Sequence, residues 1–178
     1  MFDLMHFTKT EQEKLLKSIT ILVDTREKEG KNEHILSYFD SNKIHWEKTK
    51  LNRGDYSFYI PANPDLCIPR NLYFDKRVII ERKANLVEIS NNLTKERNRL
   101  KEEFALAPET KVMLIENGSF SDIITHNYNS QYEPKSFIAS IYSLWHEFNI
   151  PVIFMPDRKY TGQFIYGYFY YYLRNLIK

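Results

Sequence analysis

Short apolar runs rich in β-branched residues alternate along the chain with segments in which apolar residues recur at helical spacing. The runs at 19–23, 112–115 and 152–154 predict buried strands, because β-branched residues favour the pleated surface of a sheet. The run at 78–80 is typical of a central strand that is covered on both faces. At 55–60, apolar and polar residues alternate, which predicts a half-buried strand.

Helical spacing is clear in five segments. The predicted helices cover residues 8–17, 33–39, 85–104, 134–148 and 161–177. A threonine suits the beginning of the first as a cap, and Pro134 suits the beginning of the fourth. Strands and helices thus alternate along the chain without repeats, which predicts one α/β domain with a central mixed sheet and helices on both sides.

Charged residues stand where the predicted strands begin or end. Asp24 ends the first run, Asp55 opens the alternating strand, and Glu81-Arg82-Lys83 follows the central run. Because side chains alternate along a strand, Glu81 and Lys83 point to one side and Arg82 to the other. An unpaired buried charge is costly, so these strand ends indicate a site rather than stability alone.

Composition limits the class of protein. With 178 residues, 43% hydrophobic and 15% aromatic content, the chain is predicted to be globular. A net charge of +2 is too small to indicate nucleic-acid binding by itself. The one cysteine, Cys67, excludes a disulfide framework and a cysteine-based zinc site. Without a signal peptide, a membrane-length apolar run or a lipidation motif, the expected location is the cytosol.

The most basic short segment is 43–53, where the pattern predicts a strand and a turn. Its ionisable residues are Lys43, His45, Lys48, Lys50 and Arg53, with Glu47 as the one acid. Composition alone favours a solvated surface. The position next to Asp55 equally favours contacts from Lys48, Lys50 and Arg53 to DNA phosphates.

An arginine interrupts the apolar face of the helix predicted at 85–104. At 100° per residue, Arg97 falls among the apolar residues, whereas Glu88 and Arg99 point away from them. A core-facing arginine needs a polar partner, and the nearest candidate is the carboxylate cluster at the strand ends.

Carboxylates and a lysine at one sheet edge suit the hydrolysis of phosphodiester bonds. A divalent cation neutralises charge on the phosphate and lowers the pKa of a bound water. Mg²⁺ takes oxygen ligands and keeps several waters, so two or three carboxylates suffice. A lysine beside them can orient the water or stabilise developing charge. An aspartate, a hairpin and Glu-x-Lys in this order form the pattern of the PD-(D/E)XK nucleases, which alone is a weak signal.

The longer string is more specific. Its blocks are Val23-Asp24-Thr25-Arg26-Glu27, Gly54-Asp55-Tyr56 and Ile80-Glu81-Arg82-Lys83. In this order and at this spacing they resemble the nuclease domain of the XPF/Hef family of structure-specific endonucleases. The resemblance extends over about residues 19–177, and the later part of the chain looks like the short, stand-alone phage and prophage members of the family. Residues 1–18 would then be a helical N-terminal arm, and residues 19–178 the nuclease domain.

The resemblance implies a restriction-endonuclease-like core and a DNA endonuclease that depends on Mg²⁺ or Mn²⁺. Its substrates would be branched DNA or junctions of single-stranded and double-stranded DNA, in phage or bacterial recombination, repair or replication. The metal ligands that it implies are Asp55, Glu81 and Asp24. Lys83 would orient water or phosphate, with Asp24 and Glu27 as supporting acids. The arginines that would hold the acids or contact phosphate are Arg26, Arg82 and Arg97.

The sequence departs from the family pattern at two points. The family usually carries an aspartate shortly after Glu-Arg-Lys, where this sequence has Val87, and we expect the neighbouring Glu88 to face solvent. Archaeal and eukaryotic relatives add a tandem helix-hairpin-helix module, which we do not expect here. Relatives also pair through their nuclease domains, so the aromatic last helix, with Tyr168 and Tyr172, is either core alone or also a homodimer contact.

Other functions remain open at this point. Each block alone is more simply a helix cap, a turn or a solvated strand end, and it is their joint order that favours a nuclease. One alternative is another activity of the superfamily, such as a Holliday-junction resolvase or an unselective nickase. Another is a catalytically silent DNA-binding or scaffold subunit.

Overall fold

The computed structural model describes residues 6–27 and 30–178, in which each predicted apolar run forms a strand of one mixed sheet. The strands are β1 Thr20–Asp24, β2 His45–Thr49, β3 Tyr56–Ile60, β4 Leu72–Tyr73, β5 Val78–Lys83, β6 Thr110–Glu116 and β7 Val152–Met155. The helices are α1 Lys9–Lys17, α2 Glu33–Ser41, α3 Leu86–Thr94, α4 Arg97–Ala105, α5 Phe120–Ile124, α6 Pro134–Phe148 and α7 Thr161–Leu176.

The strand order places the charged strand ends side by side. It is β2-β1-β3-β5-β6-β7, with β4 paired to β3. Strand β3 runs antiparallel to both of its neighbours, β1 and β5, whereas the β1–β2, β5–β6 and β6–β7 pairs are parallel. The beginning of β3 therefore lies between the carboxyl ends of β1 and β5.

Helices cover both faces of the sheet. Along β6, Val112 and Leu114 point into a core that contains residues of α1, α2 and α7. Met113 and Ile115 point into a second core that contains residues of α3, α4, α5 and α6. Because side chains alternate along a strand, these two cores lie on opposite faces. The predicted α/β architecture with flanking helices is thus confirmed.

The prediction of a single helix over 85–104 was wrong in one respect, because the chain forms two helices there. Helix α3 ends at Thr94 and α4 begins at Arg97. Near the break, the Thr94 hydroxyl donates to the carbonyls of Ser90 and Asn91. Side chains that bond to nearby carbonyls compete with the helical ladder and help to end it.

The N-terminal helix belongs to the first core. Thr8 caps α1 in a capping box with Glu11, as the sequence suggested. Leu15 and Leu16 of α1 are buried in the core that also contains Val112 and Leu114. The described part of the predicted N-terminal arm therefore packs into the same core as α2 and α7. Residues 1–5 of the arm lie outside the described residues. None of the helices in the described part of the chain is long and apolar enough to cross a bilayer.

Candidate active site

Backbone hydrogen bonds join the three charged strand ends. The N–H of Asp24 donates to the carbonyl of Asp55 at 2.8 Å, and the N–H of Asp55 donates to the carbonyl of Ile80 at 2.9 Å. Asp55 thus bridges β1 and β5 immediately before β3 begins. This bridge places its side chain next to Glu81, the residue that follows Ile80.

Gly54 allows this close approach. Its φ of +73° lies in the left-handed region, which favours glycine. A Cβ at this position would lie 2.9 Å from the Cβ and Cδ1 of Ile79 and 3.2 Å from the carbonyl oxygen of Ile80. A side chain here would push the Asp55 backbone away from β5.

The strand ends open into a cleft of about 690 Å³ with a smaller pocket of about 170 Å³ beside it. The residues that line both are Arg26, Asp55, Glu81, Lys83 and Glu88. The larger cleft is also lined by Arg53, Gly54, Glu96, Arg99, Glu102, Glu103 and Leu106. The smaller pocket is also lined by Glu27, Lys31 and Arg82.

Asp55 is a buried acid that lies close to other acids. Its Oδ2 accepts the backbone N–H of Arg82 at 2.6 Å. Burial, together with repulsion from Glu81 and Glu27, raises the pKa of Asp55 well above its usual value, although Lys83 and the Arg82 N–H oppose the rise. An approaching cation would favour its ionised form.

Glu81 and Lys83 form a buried ion pair on one side of β5. Lys83 Nζ lies 2.6 Å from Glu81 Oε1. Burial raises the pKa of Glu81, although Lys83 opposes the rise. Burial acts to lower the pKa of Lys83, but the attraction of Glu81 and Asp55 prevails and raises it to about 12. Lys83 is therefore a cation at neutral pH and cannot act there as a general base.

Asp55 and Glu81 are suited to hold a divalent cation. Both are oxygen donors in which burial raises the pKa, so a hard cation would stabilise their ionised forms. Mg²⁺ keeps several waters and needs only one or two carboxylates of a protein. Among residues 6–27 and 30–178, no group of three or more His, Cys, Asp or Glu side chains is arranged to hold a metal ion. The predicted set of three ligands, with Asp24 as the third, is therefore not assembled.

Asp24 has other partners instead. Its Oδ1 accepts the backbone N–H and Nε of Arg26, and its Oδ2 accepts Nη2 of Arg26 and the N–H of Leu51. Burial acts to raise the pKa of Asp24, but these hydrogen bonds outweigh it and lower the pKa. Asp24 holds Arg26, which is about half exposed and lines the cleft.

Arg82 points to the opposite side of β5 from Glu81, as strand alternation predicted. Its guanidinium is buried and pairs with Glu27 at 3.2 Å and with Glu116 at 3.0 Å. Of the predicted arginines, Arg26 and Arg82 therefore each hold an acid. The expectation that Arg97 holds an acid was wrong, because its Nη1 donates to Ser140 Oγ of α6 at 3.0 Å, and Arg97 lines neither the cleft nor the pocket beside it.

Only one of the three predicted DNA-contact residues lines the cleft. Lys48 and Lys50 are exposed on edge strand β2 and just beyond it. Arg53 lines the larger cleft, and within the described residues its buried Nε has no hydrogen-bond partner. Arg53 is therefore the member of this set that is placed to contact a phosphate at the strand ends.

The sequence reasoning missed the acids that come from helices. Glu88 points away from the core, as predicted, but it faces the cleft, where its Oε2 also accepts the N–H of Ala84. Opposite the strand ends, the cleft is lined by Glu96, which precedes α4, and by Arg99 and Glu103 of α4, a spacing that marks one helical face. That spacing was visible in the sequence, but what the face meets was not.

A family model described as the ERCC4 domain matches residues 23–168. The chain belongs to the ERCC4 domain family. This confirms the resemblance to XPF-type nuclease domains. No curated protein sequence matches the chain at a significant level.

Two solved structures are similar to this ERCC4 domain. XPF from Aeropyrum pernix has 20% identity and a TM-score of 0.59, over 84% of this chain and 59% of that one. The same protein in complex with DNA has 19% identity and a TM-score of 0.60, over 88% of this chain and 66% of that one. The chain thus spans less than two thirds of each. At these identities the matches show the fold, while family membership supports a nuclease that acts on DNA.

Proposed function

We propose that this ERCC4 domain is an endonuclease that uses Mg²⁺ or Mn²⁺ to cut branched DNA or junctions of single-stranded and double-stranded DNA. The observation that carries the proposal is the adjacency of Asp55, Glu81 and Lys83 at the cleft where β1, β3 and β5 meet. The biological setting we propose is phage or bacterial recombination, repair or replication.

Asp55 and Glu81 would hold the cation. When bound, it would supply a water of lowered pKa and neutralise charge on the phosphate. Lys83 carries a fixed positive charge beside both acids, which suits it to hold the scissile phosphate or orient the water. Its present partner is Glu81, so a cation on Glu81 would leave Lys83 available to a phosphate oxygen.

Arg26 and Arg53 would place the DNA backbone. Both line the larger cleft, and arginine offers several N–H donors to a phosphate. The same cleft carries more acids than bases, namely Asp55, Glu81, Glu88, Glu96, Glu102 and Glu103 against Arg26, Arg53, Lys83 and Arg99. A polyanion would be repelled from such a cleft until cations bind, which supports a metal-dependent reaction.

The proposal is tested by cleavage of end-labelled duplex, splayed-arm, flap and four-way-junction DNA with Mg²⁺, Mn²⁺ or EDTA. Asp55→Asn and Glu81→Gln keep the shape of the site and remove its charge, and we expect both to abolish cutting. Glu147→Gln is the control, because Glu147 is exposed and pairs with Lys101 away from the cleft.

The outcomes separate the alternatives. Metal-dependent cuts near junctions, absent from both site variants, support a structure-specific nuclease. Cuts restricted to four-way junctions identify a resolvase, and equal cutting of all DNAs identifies a nickase. Binding of these DNAs without cutting by either metal overturns the proposal and favours a scaffold subunit.

A homodimer through α7 is a separate proposal. Tyr168 and Tyr172 pack on the core with one part of their rings and border a shallow groove of about 390 Å³ with the other. The exposed Tyr171 lies in the same groove. Sedimentation of the wild type and of Tyr171→Lys tests it, because a dimer through this face should dissociate in the variant.

A further inference from the structure

On the opposite face of β5 from Glu81 and Lys83, four ionisable side chains form a continuous chain of contacts. Arg82 Nη1 donates to Glu27 Oε1 at 3.2 Å, and Nη2 lies 3.0 Å from Glu116 Oε2. The other oxygen of Glu116, Oε1, lies 2.7 Å from His34 Nε2. Arg82, Glu27 and Glu116 are each more than nine-tenths buried, and His34 is mostly buried.

Glu116 and His34 come from elements that contribute nothing else to the site. Glu116 is the last residue of β6, and His34 lies in the first turn of α2. Neither lines the cleft or the pocket beside it, so neither can touch a substrate held there. The contacts that connect Glu116 to the site run through Arg82.

Arg82 holds two of the acids at the cleft. Its backbone N–H donates to Asp55 Oδ2 at 2.6 Å, and its guanidinium holds Glu27. Nη2 also donates to the carbonyl of Lys31 at 2.8 Å, which ties down the segment that follows Glu27. The orientation of the Arg82 side chain therefore determines where Glu27 lies, while the contact with Asp55 comes from the Arg82 backbone within β5.

We propose that Glu116, oriented by His34, is a positioning residue that holds the Arg82 guanidinium so that Glu27 is correctly placed beside Asp55 and Glu81 at the cation site. The inference rests on the nuclease activity proposed above. A buried ion pair adds little stability compared with apolar residues of the same volume, so stability alone is a weak reason to bury Glu116. Residues that orient metal ligands typically change metal affinity or activity by 10- to 100-fold when they are removed.

The test is Glu116→Gln, which keeps the side-chain shape and removes the charge that attracts Arg82. We expect kcat per folded molecule to fall by about 10- to 100-fold with KM within about twofold. The Mn²⁺ concentration that gives half-maximal thermal stabilisation should rise by a similar factor, and this readout needs no cleavage. Unfolding curves give the folded fraction, and Glu147→Gln, at an exposed position of α6, should behave as wild type.

Two further variants separate positioning from loss of folding. His34→Leu removes the partner of Glu116 at a less buried place and should lower kcat in the same direction by a smaller factor. His34→Gln keeps a donor and should restore most of the loss. In the pair Glu116→Gln and Glu27→Gln, the effects should not multiply, because Glu116 acts on Glu27 through the same guanidinium of Arg82.

Each result decides between the two proposals. If the wild type cuts DNA and Glu116→Gln changes neither kcat nor the Mn²⁺ response, the positioning role is overturned and the nuclease stands. If Glu116→Gln merely lowers thermal stability, Glu116 is structural, and the inference is again refuted. If the wild type binds Mn²⁺ without cutting, a weakened Mn²⁺ response in the variant still supports positioning of the cation site. If it neither cuts nor binds Mn²⁺, both proposals are refuted.

Discussion

Replacing Gly54 with alanine tests whether close backbone approach builds the site. The φ of +73° costs an L-residue about 1–2 kcal/mol. The added Cβ would also meet Ile79 at 2.9 Å and the Ile80 carbonyl at 3.2 Å, contacts that the β5 backbone cannot easily relieve. Overpacking of this kind costs about 1–3 kcal/mol, so we expect Gly54→Ala to lower the free energy of unfolding by about 2–5 kcal/mol.

Two other glycines of the chain are matched controls. Gly30 has a similar φ of +81°, but a Cβ there would come no closer than 3.8 Å to Glu33 Oε1, so Gly30→Ala carries the backbone cost without the clash. Gly167 lies within α7 and a Cβ there would meet nothing within 4 Å, so Gly167→Ala should stabilise by up to about 1 kcal/mol. From most to least stable, the expected order is Gly167→Ala, wild type, Gly30→Ala and Gly54→Ala.

Urea unfolding at equilibrium, followed by circular dichroism, measures these differences. With a slope of about 2 kcal/mol per molar urea, Gly54→Ala should lower the midpoint by about 1–2.5 M. A midpoint for Gly54→Ala that equals the midpoint for Gly30→Ala would refute the argument that close packing against β5 requires a glycine.

Three further predictions concern the charges at the cleft. The pKa of Asp55 is higher in the folded than in the unfolded state, so ionised Asp55 destabilises the fold; this cost is absent below the unfolded pKa and grows as the pH rises from there through the folded pKa. Asp55→Asn should therefore stabilise the metal-free protein at pH 8 by about 1.4 kcal/mol for each unit by which the pKa is raised, and should not stabilise it at pH 3. Urea midpoints at both pH values will show the difference. Mg²⁺ at ten times its dissociation constant should stabilise the wild type by about 1.4 kcal/mol in thermal unfolding and leave Asp55→Asn unchanged, and an equal gain in both would place the cation elsewhere. Lys83→Met leaves Glu81 unpaired and should lower the free energy of unfolding by about 3–5 kcal/mol, and a second change, Glu81→Gln, should largely reverse this loss. Urea unfolding of the single and double variants measures these effects, and additive losses would contradict the pairing.

Strand geometry made much of the site predictable. Alternation of side chains along β5 determines that Glu81 and Lys83 share one side and that Arg82 faces the other, whatever the rest of the fold does. The apolar runs likewise determine which segments are strands, and their charged ends indicate a site. The order of the three motif blocks predicted the family, and the family model confirms it.

The partners of the polar residues were decided only by the tertiary structure. Helical projection correctly turned Glu88 away from the core, but it could not show that α4 lies opposite and encloses a cleft there. It placed Arg97 on the buried side and could not show that Ser140 lies within reach. Asp24 reads as a metal ligand in the motif, yet the loop that brings Leu51 to it occupies its oxygens together with Arg26.

The physical reason is the range of the interactions. A periodic pattern shows which face of a helix or strand is buried, because the burial of apolar side chains depends on their spacing and requires no particular partner. A hydrogen bond or an ion pair requires a particular partner within a few ångströms, and that partner often lies far along the chain. Glu116 is the clearest case in this protein, because its contacts with His34 and Arg82 exist only where β6, α2 and β5 come together.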